Sequence, residues 1–293
     1  MSRRERTAWS FVAPALIAIG LFFALPTIAA LFLSLTDFDI YALSDIRNLR
    51  FIGLDNYVSL IERPLFWKAM GNTMWFVVLG VPLTVAASLA AALLLNAKTL
   101  RWKPIWRLAF FAPFVTTLVA TAVVWRYLLH TRYGLINYGL GTIGVAPVDW
   151  LGDPRWSLPA ILLFVVWKTF GYNMIIFLAA LQTTSEELYE AARIDGAGWW
   201  AQFRHVTLPA IGPTLLLVSI LSIAGFFQLF AEPYVMTLGG PAQSTVTVLY
   251  FMFEEGFKWW NLGTASAVAV ILFILIFIVT MLQLWVARRR EAL

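Results

Sequence analysis

Glu190-Ala191-Ala192-Arg193-Ile194-Asp195-Gly196, followed after nine residues by Val206-Thr207-Leu208-Pro209, lies in a short polar segment between two long apolar runs. Thr184 and Glu187 have the T-x-x-E spacing of a capping box, so a helix should start near Ser185. Leu188, Ala191 and Ala192 fall on one face of that helix, and the small alanines allow close approach of another surface. Glu190 and Arg193 lie beside this stripe. Gly196 can end the helix at positive φ with little cost. A second amphipathic stretch, Trp199 to His205, runs on to Pro209. The stretch therefore reads as a helix-turn-helix on a membrane face, uncovered by the rest of the chain. The plainer reading is an amphipathic connector between two spans.

Outward from this loop, composition puts the chain in a membrane. Of 293 residues, 61% are hydrophobic and 13% charged, about half the charge of an ordinary soluble domain. Six apolar runs reach the roughly 20 residues that a helix needs to cross the hydrocarbon core. They lie near Phe11 to Leu35, Asn72 to Leu95, Ile105 to Leu128, Ser157 to Leu181, Ala210 to Glu232 and Leu262 to Ala287. The expected fold class is all-α, polytopic, with six transmembrane helices. The first run exceeds the apolar core of a cleaved signal peptide and is expected to stay in the mature protein.

Lysine and arginine set the expected orientation. Twelve fall in the segments assigned to the cytoplasm, including Arg3, Arg4, Arg6, Lys98, Arg101 and the Arg288 to Arg290 run. Eight are spread over the longer outer segments, and Lys168 is intramembrane. This bias places both termini and the Glu190 loop in the cytoplasm. The net charge of +5 sits at membrane edges facing anionic lipid and calls for no nucleic acid.

The long outer segments carry Gly53-Leu54-Asp55-Asn56-Tyr57, Tyr133-Gly134-Leu135-Ile136-Asn137 and Thr237-Leu238-Gly239-Gly240-Pro241. Glycine, proline, asparagine and aromatic residues there read as ordered turns and interfacial helices. Tryptophans 67, 156, 259 and 260 suit the membrane-water interface.

Several of these motifs together resemble one family. The pattern E-A-A, three residues, G, nine residues, an aliphatic, any residue, L-P is similar to the coupling loop of ABC-importer permeases. G-L-x-N-Y, Y-G-L-I-N, T-x-G-G-P and G-x-A-S-A (Gly263 to Ala267) recur in that order in carbohydrate permeases of the maltose-transporter type. The resemblance covers almost the whole chain. It departs at Val206, where isoleucine is common, and at Leu238, often glycine or asparagine.

The resemblance implies a non-catalytic transport subunit, one membrane domain over 1–293. Its five-helix core is placed at about 66–287, and its extra N-terminal helix at about 11–35. Glu190, Ala191, Ala192, Asp195, Gly196, Leu208 and Pro209 would form the loop that contacts an ATPase. Implied partners are a second permease, two ATP-binding subunits that carry the ATP and Mg, and an extracytoplasmic solute-binding protein. The implied location is the inner membrane of a prokaryote.

The sequence carries no G-x-x-x-x-G-K-[S/T] phosphate loop, so the energy must come from a partner. His130 and His205 are too isolated to suggest a metal site. An ion-coupled secondary carrier would place acids deep in its spans, whereas Glu232 is read at the outer edge of the fifth. A membrane scaffold would leave the Glu190 loop unexplained.

Lys168 lies about halfway along the fourth run. It is read as a pathway or packing contact, or as a lysine reaching an interface. Thr169, Tyr172 and Asn173 share or flank its face. In the fifth run Ser222, Phe226 and Leu229 form a stripe flanked by Gly225 and Gln228. Aromatic faces with hydroxyls and amides suit a sugar, and small polar residues equally suit helix packing. The resemblance places a sugar-contacting tyrosine at Tyr172 and a contacting stripe on Ser222, Gly225, Phe226 and Leu229. The relatives carry asparagines where Phe226 and Leu229 stand. The expected cargo is a sugar or small oligosaccharide, with glycerol-phosphate-type cargo as the alternative.

Overall fold

A computed structural model describes residues 3–291. Met1, Ser2, Ala292 and Leu293, and with them the two chain ends assigned to the cytoplasm, lie outside the described residues, as do the side chains of Arg3, Arg4, Arg6 and Arg290. The described chain is helical, with one isolated bridge, Thr36 to Phe51.

Among the described residues, four helices are long and apolar enough to cross a membrane: Trp9–Leu33, Pro64–Asn96, Pro154–Thr183 and Leu262–Arg289. Two bent pairs bring the number to six if each is one span. Lys103–Val115 meets Leu118–Leu128 at 100°, and Trp199–Ala210 meets Gly212–Phe227 at 71°. The third and fifth runs expected from the sequence are thus not continuous helices. Pro113 lacks an N–H, and Thr116 and Thr117 take extended ψ of 150° and 134°, which ends the first helix of the third run. The fifth run stops at Phe227 and restarts at Ala231.

The chain divides into two compact units. The first comprises Met1–Trp67 and Phe251–Leu275. Its Trp9–Leu33 helix is apolar on all sides, as a helix solvated by lipid should be. The segment after it is held by Asn56 of the G-L-x-N-Y motif. The Asn56 amide donates to Ser34 O at 2.9 Å and Thr36 O at 2.8 Å, and Oδ1 accepts from Thr264 at 3.2 Å. Gly263 is needed because a Cβ there would lie 2.3 Å from Thr36 O. Two separate motifs are therefore parts of one clasp.

The second unit comprises Lys68–Tyr250 and Ile276–Leu293. Its spine is Pro154–Thr183, capped at the start by Asp153 accepting from Arg155 N at 2.8 Å. Phe164, Ile161 and Phe76 fill one buried cluster, and Met174, Phe177 and Val218 another. Gly171 lets the Lys103–Val115 helix come close: a Cβ on it would stand 1.9 Å from Phe110 O.

Two loops of this unit are clasped in the same manner as Asn56 clasps the first. Asn137 donates to Thr131 O and Val148 O at 3.1 and 2.8 Å, and accepts from Val148 N and Trp150 Nε1 at 3.2 and 3.0 Å. After the left-handed Gly239, Thr245 donates to Gly240 O at 2.9 Å. Lys68, Asn72 and Thr73 tie this loop to the Pro64–Asn96 helix through Ala242 O, Val246 O and Val248 N.

Candidate functional site

The loop that opened the sequence reading folds into two arms. The first is Glu186–Ile194. Its cap is Ser185, whose hydroxyl accepts from Glu187 N at 3.3 Å. Thr184, the expected cap, instead donates to Ala180 O, because it is the C-cap of the preceding spine. The helix ends as expected at Gly196, with φ +77°. Ala197 N donates to Ala192 O at 2.8 Å and Gly196 N to Arg193 O at 3.1 Å. These are the paired bonds of a Schellman ending.

The second arm runs over Trp199–Ala210. Tyr189 and Thr207 share a hydrogen bond of 3.1 Å, and Gln202 donates to Ala197 O at 2.7 Å, so the two arms are braced. Leu208 is half-buried against the core, while Pro209 stands exposed in the first turn of the helical end. Lys98 forms an ion pair with Glu186 and ties the first arm to the end of Pro64–Asn96. That bond, followed by the Lys98 charge, holds the Glu186 carboxyl below the usual glutamate range.

The outward face of the loop carries apolar surface. Glu190, Ala191, Asp195 and Gly196 are exposed and Ala192 is half-buried. Ile194 is 86% exposed and Trp199 is 70% exposed. Among the described residues Glu190 reaches only Arg193, at 4.0 Å, three residues along its own helix. Ile194 and the Tyr189–Thr207 brace were missed from sequence. Ile194 sits inside the quoted motif, but the tyrosine and threonine, 18 residues apart, give no local signal.

The second site is a cavity of about 240 Å³ between the Pro154–Thr183 and Gly212–Phe227 helices. It brings together Thr169, Tyr172, Asn173, Ser222, Gly225, Phe226 and Leu229. Tyr172 stacks on Phe114, with ring centroids 4.6 Å apart and 20° between planes. Asn173 donates to Ser222 Oγ at 3.1 Å. Phe226 is largely a core residue, since a Cβ on Gly80 would lie 2.3 Å from its ring.

Lys168 and Gln228 are not among the residues lining this cavity. Gln228 is exposed at the end of its helix. Lys168 is buried and donates to Pro113 O at 2.9 Å and Thr116 O at 2.8 Å. It closes the helix that breaks at Thr116, where a cation also meets the negative end of the helix dipole. Its charge serves the bend, and the bend carries Phe114 to Tyr172. Thr84, Phe114 and Glu232 line the cavity and were missed from sequence. Glu232 follows the helix break after Phe227, which neither glycine nor proline marks.

Membrane helices around a small polar-aromatic cavity, with an exposed two-armed loop at one end, define a transport permease. The chain belongs to the family of binding-protein-dependent transport system inner membrane components, which it matches over residues 9–292. It is 36% identical to the lactose transport system permease protein LacF of Rhizobium radiobacter, over 97% of this chain and 94% of that protein. It is 31% identical to the trehalose/maltose transport system permease protein MalF of Thermococcus litoralis, over 99% and 96%. Among solved structures, a bacterial ABC transporter that imports the acidic polysaccharide alginate shares the fold, with TM-score 0.81 and 21% identity over 98% of this chain and 96% of that one. A bacterial alginate ABC transporter in complex with alginate-pentasaccharide-bound periplasmic protein gives TM-score 0.82 at 20% identity, with the same coverage. The chain is thus an ABC-transporter permease, an inner-membrane component of a kind that is generally non-catalytic. Family membership sets aside the ion-coupled carrier and the scaffold.

Proposed function

We propose that this permease imports a sugar or small oligosaccharide handed over by an extracytoplasmic solute-binding protein. Two ATP-binding subunits hold the ATP and Mg and dock on the Glu190 loops of this chain and of a second, similar permease. Both termini lie in the cytoplasm, and 1–293 acts as one membrane domain with the first helix outside a five-helix core. Closure of the ATPase pair swings the loops together and opens the pathway outward.

The observation that carries this reading is the loop's outward face. Its backbone is fully organised by the Ser185 cap, the Schellman ending and the Tyr189 brace. Yet it leaves Glu190, Ile194 and Trp199 turned to solvent. An ordered apolar surface with a charge beside it is what a partner protein covers. Glu190, Ala191, Ala192, Asp195 and Gly196 supply the contact, while Leu208 and Pro209 anchor the second arm.

Sugar cargo is supported by the relatives' lactose and trehalose/maltose systems and by the cavity's make-up. A tyrosine ring offers a stacking face for sugar C–H groups, and Asn173, Ser222 and Thr169 offer amide and hydroxyl partners. The test is to tag this chain, co-purify its complex and identify the solute on the binding protein. Recovery of ATP-binding subunits, a second permease and a sugar-loaded binding protein is expected. Recovery of the chain without any ATP-binding subunit would refute the assembly.

A further inference from the structure

The cavity beside Tyr172 holds two groups that helix packing does not account for. Glu232 lines it from the first turn of Ala231–Thr237, near Ser222, Gly225 and Leu229. Thr84 lines it from the Pro64–Asn96 helix, only 1% exposed, and its hydroxyl has no hydrogen-bond partner among the described residues. A buried hydroxyl without a partner has lost its water and gained nothing in return. A ligand hydroxyl would restore the missing bond.

No lysine, arginine or histidine is among the lining residues. Lys168, next in sequence to Thr169, gives its ammonium to the Pro113 and Thr116 carbonyls. No ion pair joins it to Glu232 among the described residues. The cavity thus presents the Glu232 carboxyl group, the Thr84 side chain and an aromatic face, with no cation in its lining. A carboxylate accepts strong hydrogen bonds from O–H and N–H donors and repels a second carboxylate, sulfonate or phosphate.

We infer that Glu232 is a specificity-determining residue that admits sugars without an acidic group and turns away acidic ones. The inference rests on the proposed sugar cargo and narrows it, and it disfavours glycerol-phosphate-type cargo. Thr84 is the second contact, reserved for a ligand hydroxyl.

The test uses the purified complex in nanodiscs. Its probes are lactose, maltose and trehalose, and the same disaccharides with one hydroxymethyl group oxidised to carboxylate. Binding is followed by saturation-transfer NMR. At least one neutral sugar should bind, and its acidic counterpart should bind more weakly by roughly 10- to 100-fold. Glu232→Gln should shrink that gap to about threefold, and Glu232→Asp should keep it. Thr84→Val should weaken neutral-sugar binding by roughly 2- to 10-fold while leaving assembly intact.

Equal binding of neutral and acidic sugars to the wild type overturns the inference, and this holds even if Glu232→Gln does not assemble. An unchanged gap in an assembled Glu232→Gln complex overturns it as well. If no sugar binds here while the binding protein carries one, this inference alone fails. If the binding protein carries none either, the cargo reading fails and takes this inference with it.

Discussion

Asn137 in the Leu135–Thr142 helix and Glu190 in the Glu186–Ile194 helix stand in equally recognisable motifs, and the molecule treats them in opposite ways. Asn137 is buried and its amide makes four bonds within the second unit. Glu190 is exposed, with a single long contact to Arg193. Asn56, Thr245 and Gly263 behave like Asn137: each spends its polar group or its missing Cβ on closing a loop. Ala191, Asp195 and Ile194 behave like Glu190, standing on an ordered backbone with their side chains unused. A motif residue consumed inside the fold explains the fold. A motif residue left outside it points to another molecule.

The largest stability effect belongs to the inward kind. Asn137→Ala removes an amide and strands the partners it had satisfied, at a cost of about 2–4 kcal/mol. Thermal unfolding in detergent should shift down and yield should fall. Wild-type stability in Asn137→Ala would break the contrast at its strongest point.

Lys168→Met comes next. It leaves the Pro113 and Thr116 carbonyls without the ammonium, at a cost of about 1–3 kcal/mol. Lys168→Gln keeps donors and should recover part of the loss.

The outward kind should show the reverse signature. Gly196→Pro cannot reach φ +77° and deletes the N–H that bonds Arg193 O. Glu190→Arg puts the wrong charge on the contact face. Both should insert and leave thermal unfolding within about 1 kcal/mol, since the loop lies outside the buried clusters. Transport and substrate-stimulated ATP hydrolysis should fall by about tenfold or more, the size of a ~1.4 kcal/mol loss at an interface. Loss of stability without loss of coupling would invert the account.

The smallest effect is in pH. The Glu186 carboxyl is held low by its bond to Lys98 and then by the Lys98 charge. A depressed carboxylate contributes its stabilisation above its unfolded pKa and loses it as the pH falls through the folded one. No change is therefore expected at neutral or alkaline pH, and loosening of the first arm only in acid. Hydrogen exchange of the Glu186–Ile194 amides across that range would read it, and Glu186→Gln should abolish the dependence.

Much of this was legible from residues alone, because apolar run length and a fixed-spacing loop motif are both local. The four unbroken helices lie close to the runs that named them, although Pro64–Asn96 starts eight residues before the expected Asn72. Pro64 is a favoured first helical residue, whereas the sequence reading put the residues before Asn72 in an outer segment of ordered turns and interfacial helices. The bends were not legible. Pro113 is tolerated in many membrane helices, and what fixes this break is a lysine 55 residues away. That Glu232 lines the cavity was not legible either, because its position follows from an unmarked break after Phe227. Phe226 reads from sequence as a lost sugar contact, whereas its ring fills the space over Gly80.

The central claim is that the Glu186 to Ala210 loop is a cytoplasmic docking surface for an ATP-binding subunit. The chain has no cysteine, so single cysteines report cleanly. In the assembled transporter, Ile194→Cys should cross-link to a cysteine-bearing ATP-binding subunit, and Gly198→Cys should resist a membrane-impermeant thiol reagent added to intact cells. Labelling of Gly198→Cys from outside, or an Ile194→Cys that never cross-links while the complex remains assembled, would contradict the account.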